Sequence, residues 1–170
     1  MRRPSRRRCA GKQAVHGCLD TSRAIHGFTK PVDTQAVLTL PQHAQAQRIL
    51  EIGTAAGHMT ANLTEWSRAD AQVFTLGVIN DLSIPTSAAQ RADDPPRAHF
   101  GRFANHFGKA HKVFFITADS LHYDFERLAP LDFAFIDGAH DFQHVLADSL
   151  KAYRALGPGG LLVWHDYGNT

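Results

Sequence analysis

At 170 residues, 44% hydrophobic and 20% charged, the chain is long and apolar enough to bury a core, which excludes a disordered polymer and makes one globular domain the expectation. The formal net charge is +2, and Arg2, Arg3, Arg6, Arg7 and Arg8 supply five of the eighteen Lys and Arg residues before the first apolar segment. The remaining body is slightly acidic, which argues against a nucleic-acid-binding face. No run reaches the ~18 apolar residues of a membrane span, and CAGKQAVHGC follows the basic start in place of a signal-peptide core, so no membrane partner is expected and the expected compartment is the cytoplasm.

Residues 1–30 are rich in Arg, Gly, Ser and His without apolar periodicity and read as a basic, mostly irregular arm. Cys9 and Cys18 lie within it at a spacing that fits neither a redox pair nor a zinc knuckle. From residue 31 onward the pattern is that of an ordered domain, 31–170. Ala36, Val37, Leu40 and Ala44 recur at helical spacing across residues 33–47, with Pro41 expected to bend or divide the segment. Residues 48–52 (RILEI) form a short strand ending at Gly53, and Met59, Leu63 and Trp66 then fall on one helical face.

Residues 72–78 (QVFTLGV) and 112–116 (KVFFI) predict the second and third strands. Between them Pro95 and Pro96 mark a break, and Phe100, Phe103 and Phe107 suggest a crossover helix over residues 98–107. Residues 131–136 (LDFAFI) form a fourth strand. The strongest helix pattern covers 141–156, with Phe142, Val145, Leu146, Leu150 and Tyr153 on one stripe. Gly157-Pro158-Gly159-Gly160 should stop that helix and open a fifth strand over 161–165 (LLVWH). Alternating strands and helices, with strands written as apolar runs, imply a doubly wound α/β fold around a parallel sheet covered on both faces. The Trp and Phe residues fall on predicted core faces.

In such a sheet ligands bind beyond the carboxyl ends of the strands. After the first strand stands Glu51-Ile52-Gly53-Thr54-Ala55-Ala56-Gly57, an E-x-G-x-x-x-G turn whose backbone can approach a ligand at the next helix N-terminus. A dinucleotide fingerprint would need glycine where Ala55 and His58 stand, which disfavours a nicotinamide cofactor.

This turn resembles motif I of class I S-adenosylmethionine-dependent methyltransferases. The resemblance extends through Asp137-Gly138-Ala139-His140, the Gly157–Gly160 turn and His165-Asp166-Tyr167 to the branch of small-molecule O-methyltransferases related to macrolide-sugar methyltransferases and cephalosporin hydroxylase, over about residues 33–167. It implies a Rossmann-like sheet of order 3-2-1-4-5, followed in the full fold by a helix and two more strands that this chain lacks, so a truncated family member is expected. It also implies that Glu51, Gly53, Thr54, Ala55 and Gly57 contact the cofactor's methionine portion, that Asp119 and Ser120 sit near its adenine, and that Asp137 lies beside the active cleft. Ala55 departs from the usual middle glycine, and Gly77 stands where the family places a ribose-binding acid; Asp81 is a substitute for it or a structural turn residue.

Some members of the branch bind a divalent cation through carboxylates corresponding to Asp137 and Asp166, and oxygen ligation suits Mg²⁺. His140 and His165 are candidates to take the acceptor's proton, His140 with Asp137 being the expected catalytic pair. His140 and His144 also stand four apart, a spacing able to hold zinc, although no accompanying glutamate completes that motif. The expected activity is methyl transfer from S-adenosylmethionine to an oxygen of a small-molecule acceptor. An uncovered fifth strand would offer a template for a homodimer. Two alternatives stand beside this reading: a truncated, non-catalytic remnant or interaction module, and another Rossmann-like enzyme using a nicotinamide or a metal-activated water.

Overall fold

Five parallel strands in the order β3-β2-β1-β4-β5 form one sheet. The computed structural model describes residues 19–27, 29–79 and 99–166. In chain order the elements are α1 (Pro31–His43), β1 (Arg48–Ile52), α2 (His58–Trp66), β2 (Gln72–Gly77), β3 (Val113–Thr117), β4 (Leu131–Ile136), α3 (Phe142–Ala155) and β5 (Leu156–Trp164), with short 3₁₀ turns at Ala110–Lys112 and Phe125–Leu128. Arg2, Arg3, Arg6, Arg7 and Arg8, both cysteines, Asp81, Pro95, Pro96, Ala98 and Tyr167 lie outside the described residues.

The central strand β1 pairs with β2 on one side and β4 on the other, Ile49 standing opposite both Val73 and Phe133. Alternation along the strands sends side chains to two cores. Ile49, Val73, Phe133 and Phe135 meet Val37, Leu38, Met59 and Leu63 from α1 and α2. Leu50, Ile52, Leu76 and Ile136 meet Phe125, Leu128, Ala152 and Ala155 on the opposite face. The doubly wound arrangement follows from this two-sided burial. Residues 19–27 have no regular structure, yet the backbone of Ile25 exchanges two hydrogen bonds with the Asn62 side chain and Ala24 joins the first core.

Four expectations are corrected. Residues 99–108 run as successive turns, because Gly101 takes a φ of +63°, outside the range a continuing helix allows. The three phenylalanines nevertheless face inward: Phe100 packs near Phe115, Phe103 stacks on His58 and Phe107 meets Trp66 edge-on. β5 begins at Leu156, the Gly-Pro-Gly-Gly stretch being absorbed as a register shift between its pairs with Leu131 and Phe133. The sheet is not covered everywhere: on the edge strand β3, Phe114 and Phe115 are exposed.

The fourth correction concerns α3. Asp141 caps it, its carboxylate accepting from the His144 backbone N–H at 3.1 Å. The helix is then turned so that His144, Asp148, Ala152 and Ala155 are buried while Phe142, Leu146, Leu150 and Tyr153 are exposed, Phe142 by 81%. Beside this outer stripe Trp164 is also exposed, its indole N–H donating to Ser149 Oγ at 2.8 Å.

Candidate active site at the carboxyl ends of the strands

The sheet order reverses at β1, whose neighbours β2 and β4 carry the chain away in opposite directions, so the crevice beyond the ends of β1 and β4 is where the fold places a ligand. Gly53 enters the crevice at φ +110°, and its N–H donates to Leu76 O at 2.7 Å. A Cβ at this position would run into the Asp137 carbonyl, so the close approach of the two strand ends requires glycine. Ala55 holds a left-handed φ of +42°, a conformation that glycine adopts without the steric cost an alanine Cβ brings. Gly57 caps α2, and the chain returns over the loop through Gly101 N–H to Ala55 O and Phe103 N–H to Ala56 O, both 2.9 Å.

Glu51 and Thr54 lie inside this loop, each nearly inaccessible to solvent. Glu51 Oε2 accepts from Thr60 Oγ1 at 2.5 Å and from Thr75 Oγ1 at 2.6 Å. With the Thr75 proton committed to Glu51, Thr54 donates to Thr75 across 2.7 Å. Burial pushes the Glu51 carboxyl up to about 7, against the opposing pull of its two hydroxyl donors. Glu51 thus holds the glycine loop from beneath. Thr60 and Thr75 belong to this network and carry no sequence signal beyond their positions, Thr60 three residues after Gly57 and Thr75 at mid-strand.

Asp137, His165 and Asp166 lie together past the ends of β4 and β5. His165 Nδ1 lies 3.1 Å from Asp137 Oδ1 and 3.2 Å from Asp166 Oδ2, at angles that leave the buried ring nitrogen without a well-formed hydrogen bond. These three residues offer ligand atoms within 4.8 Å of one another, which fits a divalent cation. Burial raises the Asp137 carboxyl and the neighbouring Asp166 adds to that, while His165 and His140 draw it back; a cation would relieve the same repulsion. The imidazole nitrogen makes the donor set less purely oxygen than expected, suiting a transition ion as well as Mg²⁺. Asp166 itself sits at φ +57°.

His140 is largely exposed, with Nδ1 3.9 Å from Asp166 Oδ2 at the rim of the group. His144 is turned inward, its Nδ1 2.7 Å from Asp141 Oδ2, so the two histidines are not brought to a common zinc position. Asp119 and Ser120 are buried just past β3, where Asp119 Oδ1 accepts the Leu121 N–H at 2.9 Å. At the end of β2 a Cβ on Gly77 would meet Phe100 Cε2 and Thr54 Oγ1, each at 3.1 Å, so the space beside the strand end is filled.

A parallel sheet of this order, with a glycine turn and a carboxylate–histidine group facing each other across the switch point, defines a ligand-binding α/β domain of the doubly wound class. A family model for a methyltransferase domain matches residues 50–167, and the chain belongs to that family. No match was found among curated proteins. Among solved structures, a Klebsiella pneumoniae protein described as an O-methyltransferase is 25% identical with a TM-score of 0.62, covering 85% of this chain and 60% of its own. The O-methyltransferase from Bacillus cereus in complex with SAH is 22% identical with a TM-score of 0.62, again covering 85% and 60%. The O-methyltransferase TomG from Streptomyces achromogenes, involved in tomaymycin synthesis and solved with SAM, is 23% identical with a TM-score of 0.59, covering 79% and 56%. The chain therefore spans about three fifths of the length of these structures. Among the described residues no helix is long and apolar enough to cross a membrane.

Proposed function

We propose that the chain binds S-adenosylmethionine at the Gly53–Gly57 turn and transfers its methyl group to an oxygen of a small molecule. The observation that carries this reading is the glycine turn pressed against the end of β4 within the region of the methyltransferase match. In this reading Gly53, Thr54, Ala55 and Gly57 face the amino-acid end of the cofactor, Glu51 fixes the loop through Thr60 and Thr75, and Asp119 and Ser120 receive the adenine. Membership of the methyltransferase-domain family, whose model matches residues 50–167, supports these roles.

The transfer is an in-line displacement at the methyl carbon, for which positioning of acceptor oxygen and sulfonium contributes most of the rate. The acceptor hydroxyl must lose its proton as the new bond forms. In this reading His140, at the rim with Nδ1 3.9 Å from Asp166 Oδ2, takes that proton, with Asp137 and His165 behind it. Asp137, His165 and Asp166 would hold a divalent cation, which when bound lowers the pKa of a coordinated hydroxyl. The outer apolar stripe on α3, Phe142, Leu146, Leu150 and Tyr153, with the exposed Arg154 at its end, keeps a homodimer within this reading; sedimentation equilibrium, returning twice the chain mass, is its measure.

Calorimetric titration with S-adenosylhomocysteine, with and without Mg²⁺ or Mn²⁺ and with NAD as control, tests the assignment. Saturable binding of the first ligand alone is expected. A folded protein that binds neither S-adenosylhomocysteine nor S-adenosylmethionine overturns the methyltransferase reading in favour of a non-catalytic module.

A further inference from the structure

The inner face of α3 joins the second core only through Ala152 and Ala155 and buries His144 and Asp148 beside them, although the same helix carries four large apolar side chains that stay exposed. What the polar part of that face touches is the turn after β3. Lys151 Nζ donates to the carbonyl oxygens of Ser120 at 2.6 Å and Leu121 at 3.0 Å, and the ammonium sits 5.1 Å over the buried Phe125 ring. Asp148 is wholly buried one helical turn earlier, and neither of its oxygens has a well-formed hydrogen bond. The groups around it are Ser120, His144, Lys151 and Asp119, and its Oδ2 lies 3.9 Å from the Cβ position of Gly138. His144, anchored to Asp141, brings Nε2 to 3.8 Å from Asp119 Oδ1.

The turn needs such support because the strand leading into it is an edge strand with exposed phenylalanines and little core beneath it. Its internal bonds, His122 N–H and Tyr123 N–H both to Asp119 O, brace it locally but do not tie it to the rest of the molecule. Tyr123 packs against the second core, and Lys151 supplies a side-chain hydrogen-bond tie from α3 to the turn backbone. We infer that Lys151, seated with Asp148 and His144 on the inner face of α3, is a positioning residue that clamps the Asp119–Tyr123 turn against the site. Resting on the methyltransferase reading, this assigns to α3 the preorganisation of the adenine end of the cofactor.

Lys151→Met keeps the apolar stem and removes both donors. In the ligand-free protein this change should speed amide hydrogen exchange at Leu121, His122 and Tyr123 about tenfold, with the amides of β4 and α2 unchanged. It should weaken S-adenosylhomocysteine and adenosine by the same factor, about tenfold, since both present adenine to the turn. Lys151→Arg, which retains donors, should recover most of the affinity, and Asp148→Asn should shift exchange in the same three amides by less. Unchanged exchange at those amides, acceleration throughout the molecule, or a loss for S-adenosylhomocysteine that adenosine does not share would each overturn the inference. If the unsubstituted protein binds no S-adenosylhomocysteine, the methyltransferase reading falls, while the exchange measurement still decides whether Lys151 clamps the turn.

Discussion

The crevice between β1 and β4 and the outer face of α3 treat their side chains in opposite ways. In the crevice, Glu51, Thr54, Thr60 and Thr75 are buried together and satisfied by one another. On α3, Phe142 and Tyr153 stand 81% and 71% exposed while Asp148 is sealed beneath them. Burying a carboxylate is unfavourable unless donors surround it, and exposing a large apolar side chain forgoes about 1.5–3 kcal/mol each. The first region meets its cost locally with three hydroxyls. The second has turned a helix polar side in, and the gain appears at the Asp119–Tyr123 turn, where Lys151 is delivered. Burial by itself therefore does not mark the core of this protein; Glu51, Thr54, Asp119 and Ser120 form a polar interior near the carboxyl ends of the strands, and Lys112 is buried at the amino end of β3.

The largest effect that can break this comparison is expected at Gly53. Gly53→Ala must displace the Asp137 carbonyl and hold alanine at φ +110°, which should cost about 3–5 kcal/mol in urea unfolding. A cost below ~1 kcal/mol would mean that the two strand ends are not held together. Next is Glu51→Gln. The folded state holds the Glu51 proton more tightly than the unfolded chain, so the contribution of this residue is complete below its ordinary value of 4.5, declines as pH rises to about 7, and is constant above. The decline amounts to about 3 kcal/mol at 1.36 kcal/mol per unit. Stability of Glu51→Gln should be flatter across that window, its amide oxygen still accepting from Thr60 and Thr75; an unchanged pH profile would contradict the burial of Glu51.

A smaller gain is expected from Ala55→Gly, which releases a left-handed alanine and should raise stability by up to ~1 kcal/mol after the extra unfolded-state entropy is counted. The smallest effect belongs to the outer face: Phe142→Ser should change stability by no more than ~0.5 kcal/mol, since the ring is already in solvent. A loss of ~2 kcal/mol there would show that the stripe is covered in solution.

Much of this architecture was legible from residue pattern alone. All five strands are recognisable as apolar runs and the Gly53–Gly57 turn is marked by its position at a strand end, whereas the Asp137–Asp166 pair rests on the family resemblance. The orientation of α3 was not, because periodicity shows which residues share a face but not which face meets the sheet. Nor was the exposure of Phe114 and Phe115, since an edge strand and a central strand of the same composition look alike in sequence. The spacing of Phe100, Phe103 and Phe107 points to a helix over 98–107, but Gly101 at φ +63° turns the described part of that segment into successive turns. In sequence His165 is a candidate base, but its place between two carboxylates depends on a register between β4 and β5 that only the fold sets. The burial of Glu51 was hidden for a similar reason: its donors come from α2 and β2, nine and twenty-four residues away.

The most direct test of the central claim is a titration of ¹⁵N-labelled protein with S-adenosylhomocysteine, followed by backbone amide shifts. The account predicts saturable changes at Gly53–Gly57, Asp119–Leu121 and Gly138, with Phe142, Leu146, Leu150 and Tyr153 on the outer face unmoved. Shifts confined to that outer face, or none in the crevice at saturating ligand, would contradict it.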